Sequence, residues 1–375
     1  MRVLLTGGGT AGHINPALAI AETIRQNDPG AVIEFVGIRN GKEADLVPRE
    51  GYKLHFVRSM GIKRSLSPSN IKAVWMAYTS PKAKETQKIL DDFRPDIVIG
   101  TGGYASWPIM KAAAKRGIPT AVHESNAIAG MTVKQLQKHV DRIWVNFERT
   151  VQDLKHKEKA VRVGNPLRAQ FGGISKERAR QELGLKDGEI LLLSFGGSLG
   201  AENVNRAVLE LMERFTAEHP DIIHVHATGK RDFETVSTLF EQKGLNRYPN
   251  CRIFDYIYQM PLYMSAADIV ISRAGAMTLS ELAQLKKTSI LIPSPNVVDN
   301  HQFKNAKALA DANAAVLVEE ADFEKGALLL AVESLFSSQI KRQALQSNIA
   351  AFADPDANAH IWKEIQSLIA KAKTK

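Results

Sequence analysis

The 375-residue chain has one cysteine, Cys251, so no internal disulfide can form. A reducing compartment is the simplest setting for such a chain. No apolar run approaches the roughly 20 residues needed to cross a bilayer as a helix. The short apolar start, Arg2 to Thr6, runs straight into glycines, so no signal peptide is expected. The ten histidines show no zinc-ligand spacing. No recognised nucleic-acid motif, short-period repeat or low-complexity tract is present, which argues against a nucleic-acid partner and a solenoid. Acidic residues are absent from Gly51 to Lys84, a stretch holding seven Lys and Arg.

What remains is an ordinary soluble composition, 44% hydrophobic and 24% charged, in a chain long enough for two α/β domains. The net charge of +9 is lopsided. Residues 1–170 hold 26 Lys and Arg against 15 Asp and Glu, and the rest holds 23 against 25. The acid-free stretch also contains Ile71, Val74, Trp75, Met76 and Tyr78. Basic charge interleaved with apolar and aromatic residues suits an anionic membrane surface. The plainer reading is a solvated basic face over core residues.

Apolar runs alternate with helical patterns along the whole chain. Strands are expected at 3–6, 32–36, 53–57, 96–100, 120–123 and 142–145. A second set is expected at 190–195, 222–226, 252–254, 268–272, 288–292 and 315–318. "ILLLSFGGSLGAENVNRAV" (190–208) repeats the strand, glycine turn and helix of "VLLTGGGTAGHINPAL". The expected class is therefore α/β, with two Rossmann-like doubly wound parallel sheets facing across a cleft. The boundaries are drawn as an N-terminal domain 1–165, a C-terminal domain 166–354 and a closing helix 355–375.

Gly7, Gly9 and Gly12 satisfy G-x-G-x-x-G between strand and helix. A dinucleotide site would also need an acid at the end of the second strand. Glu34 has about the right spacing but lies inside "VIEFVG", and "HINPAL" is unusual after such a turn. The general physics survives: a glycine turn at a helix N-terminus offers N–H groups and a positive dipole end to an anion. A third glycine turn, "GTGGYASWP" (100–108), follows another strand. In the second half, "DIVISRAGAMTLSELAQL" (268–285) places Thr278, Ser280 and Glu281 at a helix start. There a carboxylate either caps the helix or binds ribose hydroxyls. "IPSPNVVDNHQFKNA" (292–306) gathers Asp299, Asn300, His301 and Gln302, groups suited to sugar hydroxyls. "HESNAIAG" (123–130) ends a first-half strand with His123, Glu124 and Asn126. Asp354-Pro355-Asp356 matches the D-x-D of metal-dependent glycosyltransferases, but it follows no strand and reads as turn chemistry.

Together "TGGGTAGHINPALAIA", "GTGGYASWP", "HESNAIAG", "VGNPLR", "GGSLGA", "SRAGAMTLSEL" and "DNHQFKNA" resemble the MurG family of peptidoglycan glycosyltransferases, in family order from residue 6 to residue 306. The resemblance implies the GT-B fold. It implies transfer of N-acetylglucosamine from UDP-N-acetylglucosamine (UDP-GlcNAc) to an undecaprenyl-pyrophosphate-linked muramyl pentapeptide, turning lipid I into lipid II. It places the protein peripherally on the cytoplasmic face of a bacterial plasma membrane. It also makes the first domain the acceptor- and membrane-binding one and the second the donor-binding one.

Residue by residue, the resemblance implies that Thr10, Ala11 and Gly12 line the first loop beside the donor, with Asn126 on the donor sugar. Arg168 and Ser198 would contact the diphosphate region. Ile257 would bond the uracil through backbone groups. Met277, Thr278, Leu279, Ser280, Glu281 and Leu282 would line the nucleotide, with Glu281 on the ribose, and Gln302 would hold sugar hydroxyls. Gly102, Gly103, Tyr104 and His123 would serve the acceptor. Ala11 stands where the family often has glycine, which a turn tolerates unless φ there is positive. Ser125 stands where the family often has glutamine, and no role is assigned to it.

An α-linked donor and a β-linked product imply one inversion, with a base for the acceptor hydroxyl and stabilisation of the leaving UDP. His13 leads as base, with an ordinary pKa near ~6.5. Glu124 and His123 are the alternatives, and His13 could instead cap its loop or bind acceptor phosphate. Neither a metal ion nor a cofactor is required. Lys63, Arg64, Lys72, Lys82 and Lys84 would attract anionic lipid, while Ile71, Val74 and Trp75 insert shallowly. Three other functions fit the same architecture: a UDP-GlcNAc 2-epimerase, another lipid-directed transferase such as a diacylglycerol glycosyltransferase, and a non-catalytic nucleotide-sugar sensor.

Overall fold

The computed structural model describes residues 1–61, 68–197, 200–297 and 300–374, without the side chains of Pro68, Ser69 and Lys72. Ser198 and Asp299, with Lys63 and Arg64, lie outside the described residues. The chain divides into two units, Met1–Arg168 with Asp354–Lys375, and Ala169–Ala353.

The first unit carries strands β1 (Arg2–Thr6), β2 (Val32–Gly37), β3 (Lys53–Phe56), β4 (Ile97–Gly100), β5 (Thr120–Glu124), β6 (Arg142–Val145) and β7 (Ala160–Arg162). They pair in parallel in the order β3-β2-β1-β4-β5-β6-β7. Strand β7 is not foreseen, because three residues inside "KEKAVRVG" carry too little apolar pattern. The second unit carries β8 (Ile190–Phe195), β9 (Ile222–Ala227), β10 (Cys251–Phe254), β11 (Ile269–Ser272), β12 (Thr288–Leu291) and β13 (Val316–Leu317). Their order is β10-β9-β8-β11-β12-β13, again all parallel.

Side chains alternate between two covered faces, as a parallel sheet requires. Val3 and Leu5 of β1 enter one core and Leu4 enters the other. Leu191, Leu193 and Phe195 of β8 point one way and Leu192 the other. In both sheets the strand order reverses beside the first strand of the unit, between β1 and β4 and between β8 and β11. Ligands of doubly wound sheets bind at the carboxyl ends of the strands at such reversals. The glycine turns at 7–9 and 101–104, and the turns after β8 and β11, occupy those positions.

The last helix, Ala357–Lys373, buries Ile361, Ile365 and Leu368 in the first unit's core beside Ala17, Ile20 and Ile24 of the helix Ala11–Asn27. The spacing of four and three puts these residues on one stripe. Asn358 fastens the return, its amide donating to the Leu167 carbonyl at 2.8 Å and its Oδ1 accepting from Leu167 N–H at 3.2 Å. The segment set apart by sequence as a closing helix is thus part of the first unit. Asp354 and Asp356 lie at the turn into it, and among the described residues no group of three His, Cys, Asp or Glu is arranged to hold a metal ion.

Candidate functional site

In the first unit the turns after β1 and β4 close on one histidine. His13 is the third residue of the helix Ala11–Asn27. Its Nδ1 lies 3.1 Å from the Thr101 carbonyl, and the Thr101 hydroxyl donates to the His13 carbonyl at 2.6 Å. A carbonyl only accepts, so Nδ1 carries the proton and the neutral ring has its lone pair on Nε2. Gly102 and Gly103 have φ of +100° and +75°. A Cβ at Gly102 would stand 2.7 Å from His13 Nδ1, so glycine is required for this approach. The Tyr104 ring lies against Gly9, and burial, then the charge of Glu43, raise the pKa of its hydroxyl. His13, Gly102, Gly103 and Tyr104 are therefore brought together. Thr10 precedes the helix in extended conformation, followed by Ala11 and Gly12 in its first turn. Ala11 does not take a positive φ, which explains why alanine is tolerated there.

The "HESN" loop corrects two expectations. His123 is fully buried. Its Nε2 donates to the Gly164 carbonyl at 2.9 Å, and the Ser125 hydroxyl meets Nδ1 at 3.4 Å. Burial lowers its pKa to about 4, so it stays neutral. With no surface it cannot touch an acceptor or serve as a base. Glu124 is also buried, and its carboxylate takes three donors. These are Asn126 N–H and Asn126 Nδ2 at 3.0 Å on Oε1, and Gly130 N–H at 2.7 Å on Oε2. These three bonds tie the carboxylate into the loop's own backbone and side chains. Glu34, weighed as a ribose acid, pairs with Lys53 and His55 of the neighbouring strand instead. Arg168 is held by both oxygens of Glu50, at 3.0 and 2.8 Å, with Glu22 at 3.7 Å. The pair uses one hydrogen on each of Nη1 and Nη2, and the guanidinium keeps its further N–H groups for another acceptor.

In the second unit, Met277 to Leu282 all fall on the nine-residue helix Ala276–Gln284 that follows β11. Six successive residues wrap the helix completely, so they cannot all line one ligand. Leu279 and Leu282 point into the core with Ile257, so only their backbone is open to a ligand. Thr278, Ser280 and Glu281 keep partial exposure, and Met277 is buried outside that core cluster. Burial alone pushes the Glu281 carboxyl up to about 7. Ile257 offers only its backbone, beside Tyr256 and Tyr258, whose rings meet at 4.9 Å with the Lys230 ammonium over both.

Gln302 sits in the first turn of the helix His301–Asp311, and its Oε1 accepts from Ser294 N–H at 2.9 Å. That orientation leaves the amide NH2 as the group suited to a sugar hydroxyl. Arg273, which sequence reasoning gave no role, braces the same loop. Its Nη1 donates to the Ile292 and Pro293 carbonyls at 3.2 Å, and Glu320 holds its Nη2 at 2.5 Å. The diphosphate candidate Ser198 lies outside the described residues.

The helix Pro68–Thr79 presents an apolar stripe to solvent. Ile71 is 70% exposed, Val74 52%, Trp75 65% and Tyr78 68%. The spacing i, i+3, i+4, i+7 places all four on one face. Lys82 lies over the Tyr78 ring at 5.3 Å. Lys111 lies over Trp107, and burial, then the nearby Lys115, Lys138 and Lys82, lower its pKa. These lysines therefore share one patch. Among the described residues no helix is long and apolar enough to cross a membrane.

Two parallel-sheet units with glycine turns at both strand-order reversals form the GT-B architecture of nucleotide-sugar glycosyltransferases. Models of the glycosyltransferase family 28 N-terminal and C-terminal domains match residues 3–145 and 191–361. The chain is similar to two proteins named UDP-N-acetylglucosamine–N-acetylmuramyl-(pentapeptide) pyrophosphoryl-undecaprenol N-acetylglucosamine transferase. The one from Acetivibrio thermocellus is 39% identical over 98% of both chains, and the one from Leuconostoc citreum is 38% identical over 100% of both. In fold it is similar to the crystal structure of Acinetobacter baumannii MurG, with a TM-score of 0.74 at 24% identity over 98% of this chain and 99% of that one. The UDP-GlcNAc 2-epimerase of Neisseria meningitidis, bound to UDP-GlcNAc, shares the fold at a TM-score of 0.64 and 15% identity, over 98% of this chain and 100% of that one. The chain belongs to the MurG family of peptidoglycan N-acetylglucosaminyltransferases.

Proposed function

We propose that this enzyme moves N-acetylglucosamine from UDP-GlcNAc to the 4-hydroxyl of the muramyl residue of lipid I, giving lipid II for peptidoglycan and so serving cell shape and division. The observation that carries the reading is relatedness over the full chain to transferases of that name. The chemistry is a single displacement. The acceptor oxygen attacks the anomeric carbon, the bond from that carbon to the diphosphate oxygen breaks, and UDP leaves with the electron pair. The hydroxyl proton passes to His13 Nε2, which the Thr101 carbonyl keeps in the accepting tautomer. Gly102, Gly103 and Tyr104 shape the seat of the acceptor sugar, while Thr10, Ala11 and Gly12 serve the donor and Asn126 its sugar.

The second unit reads the donor. Backbone groups at Ile257 take the uracil, Glu281 the ribose hydroxyls and Gln302 the sugar. Thr278, Ser280 and the N–H groups at Ala276 and Met277 flank the diphosphate, where the helix dipole opposes the charge of the departing UDP. Ser198 and Arg168 are further diphosphate contacts.

The acceptor's lipid tail brings the enzyme to the cytoplasmic face of the plasma membrane. The stripe Ile71, Val74, Trp75 and Tyr78 beside Lys82, Lys111, Lys115 and Lys138 supports binding to an anionic surface. Acceptor-dependent UDP release with a disaccharide product tests the reaction. Formation of UDP-N-acetylmannosamine without acceptor would identify an epimerase instead.

A further inference from the structure

We propose that Glu43 is the positioning residue of the first glycine turn, fixing the backbone against which His13 and Tyr104 are set. Glu43 opens the short helix Glu43–Arg49, yet its side chain is 0% exposed. Its two oxygens serve two different loops. Oε2 accepts from Gly9 N–H at 2.9 Å, in the turn after β1. Oε1 accepts from Ile38 N–H at 3.0 Å, just after β2. A Cβ at Gly8, Gly37 or Gly41 would overlap this side chain, so three glycines clear one seat for one carboxylate.

The contacts continue from that seat to the chemistry. The Gly8 carbonyl is pressed so close to Gly103 that a Cβ there would overlap it, and the same Cβ would lie 3.2 Å from the His13 ring. The Tyr104 ring rests on Gly9. Moving the pair Gly8–Gly9 moves the surface that holds both side chains. A buried carboxylate accepting two N–H groups is a stiff peg, because leaving either donor buried without an acceptor is costly. The inference rests on the transferase reading and assigns Glu43 no contact with substrate.

Glu43→Gln keeps the shape but turns an NH2 toward one of the two N–H groups. The test measures transfer by the full-length wild type first. Absence of transfer there overturns the transferase reading and this inference with it. In a transferring enzyme, Glu43→Gln is expected to lower kcat about tenfold or more, since misplacement near ~1 Å costs up to about a hundredfold. The acceptor KM should rise, the acidic limb of the pH profile should move, and UDP-GlcNAc affinity should hold within about twofold. A kcat lowered only in step with the folded fraction, with acceptor KM and pH profile unchanged, overturns the proposal. If Glu43→Gln does not fold, Gly41→Ala presses a methyl group onto the same carboxylate and is judged by the same readouts.

Discussion

If Glu281 holds the ribose as proposed, donor binding has a pH dependence that can be worked out in advance. Burial raises its carboxyl to about 7, well above an ordinary glutamic acid. A ribose diol donates two hydrogen bonds, so it needs the ionised, accepting form. Binding therefore favours loss of the proton and weakens as pH falls through 7. With a free-state value of about 7, the ionised fraction drops from about nine-tenths at pH 8 to about one-tenth at pH 6. The affinity should fall close to tenfold over that interval, or about 1.4 kcal/mol. UDP-GlcNAc is the right probe, because its diphosphate is esterified at both ends and does not titrate there. Calorimetry across that range should show the weakening, with proton release to buffer at the acid end. Glu281→Gln should bind about 10- to 100-fold more weakly at pH 8, the worth of a hydrogen bond to a charged group, and lose the slope. A flat profile in the wild type, or the same slope in the variant, would refute the assignment of Glu281 to the ribose.

Other outcomes follow from the same structure. His123 and His226, one in each unit, are fully buried and held neutral with pKa lowered to about 4. Their unfolded forms take up protons first, so stability is full above ~6.5 and falls as pH drops toward 4, by about 2 kcal/mol for each residue near pH 5. Thermal unfolding at pH 8 and about pH 5 checks this, and equal midpoints would contradict it. Leu282→Ala removes a fully buried core side chain and should cost about 2–5 kcal/mol in denaturant unfolding. Its UDP-GlcNAc affinity should stay as in the wild type, whereas a selective loss of affinity would put the side chain back on the nucleotide. Trp75→Ala with Lys72→Glu should weaken sedimentation with anionic vesicles and leave transfer to a short-chain acceptor unchanged. Undiminished sedimentation would remove the membrane role of that helix.

Most of the architecture could be read from the sequence because buried parallel strands are apolar runs bounded by turns. The glycine turns were legible as ligand-facing turns after strands, and the structure places them where each unit's strand order reverses. What escaped was whatever depends on distant partners. The apolar stripe of the last helix does not say which unit it covers. Glu124 and His123 looked like free chemistry beside a turn, but β5 is covered on both faces, and its polar side chains turn inward onto Gly164 and Gly130. Arg168 carries no sign of Glu50, which lies 118 residues earlier. "GKEADLV" reads as an ordinary helix start, and only the fold brings its glutamate behind Gly9. Gly37 and Gly41, both shortly before it in the chain, were the available signal.

The measurement that most directly tests the account gives purified enzyme labelled UDP-GlcNAc and a short-chain lipid I analogue, with EDTA present and His13→Ala alongside. The account predicts acceptor-dependent UDP release and a disaccharide product. It predicts a fall of roughly a hundredfold to ten-thousandfold in His13→Ala, which still binds the donor. Tight binding of UDP-GlcNAc without acceptor-dependent release in the wild type would contradict the transferase reading, and full activity in His13→Ala would contradict its base.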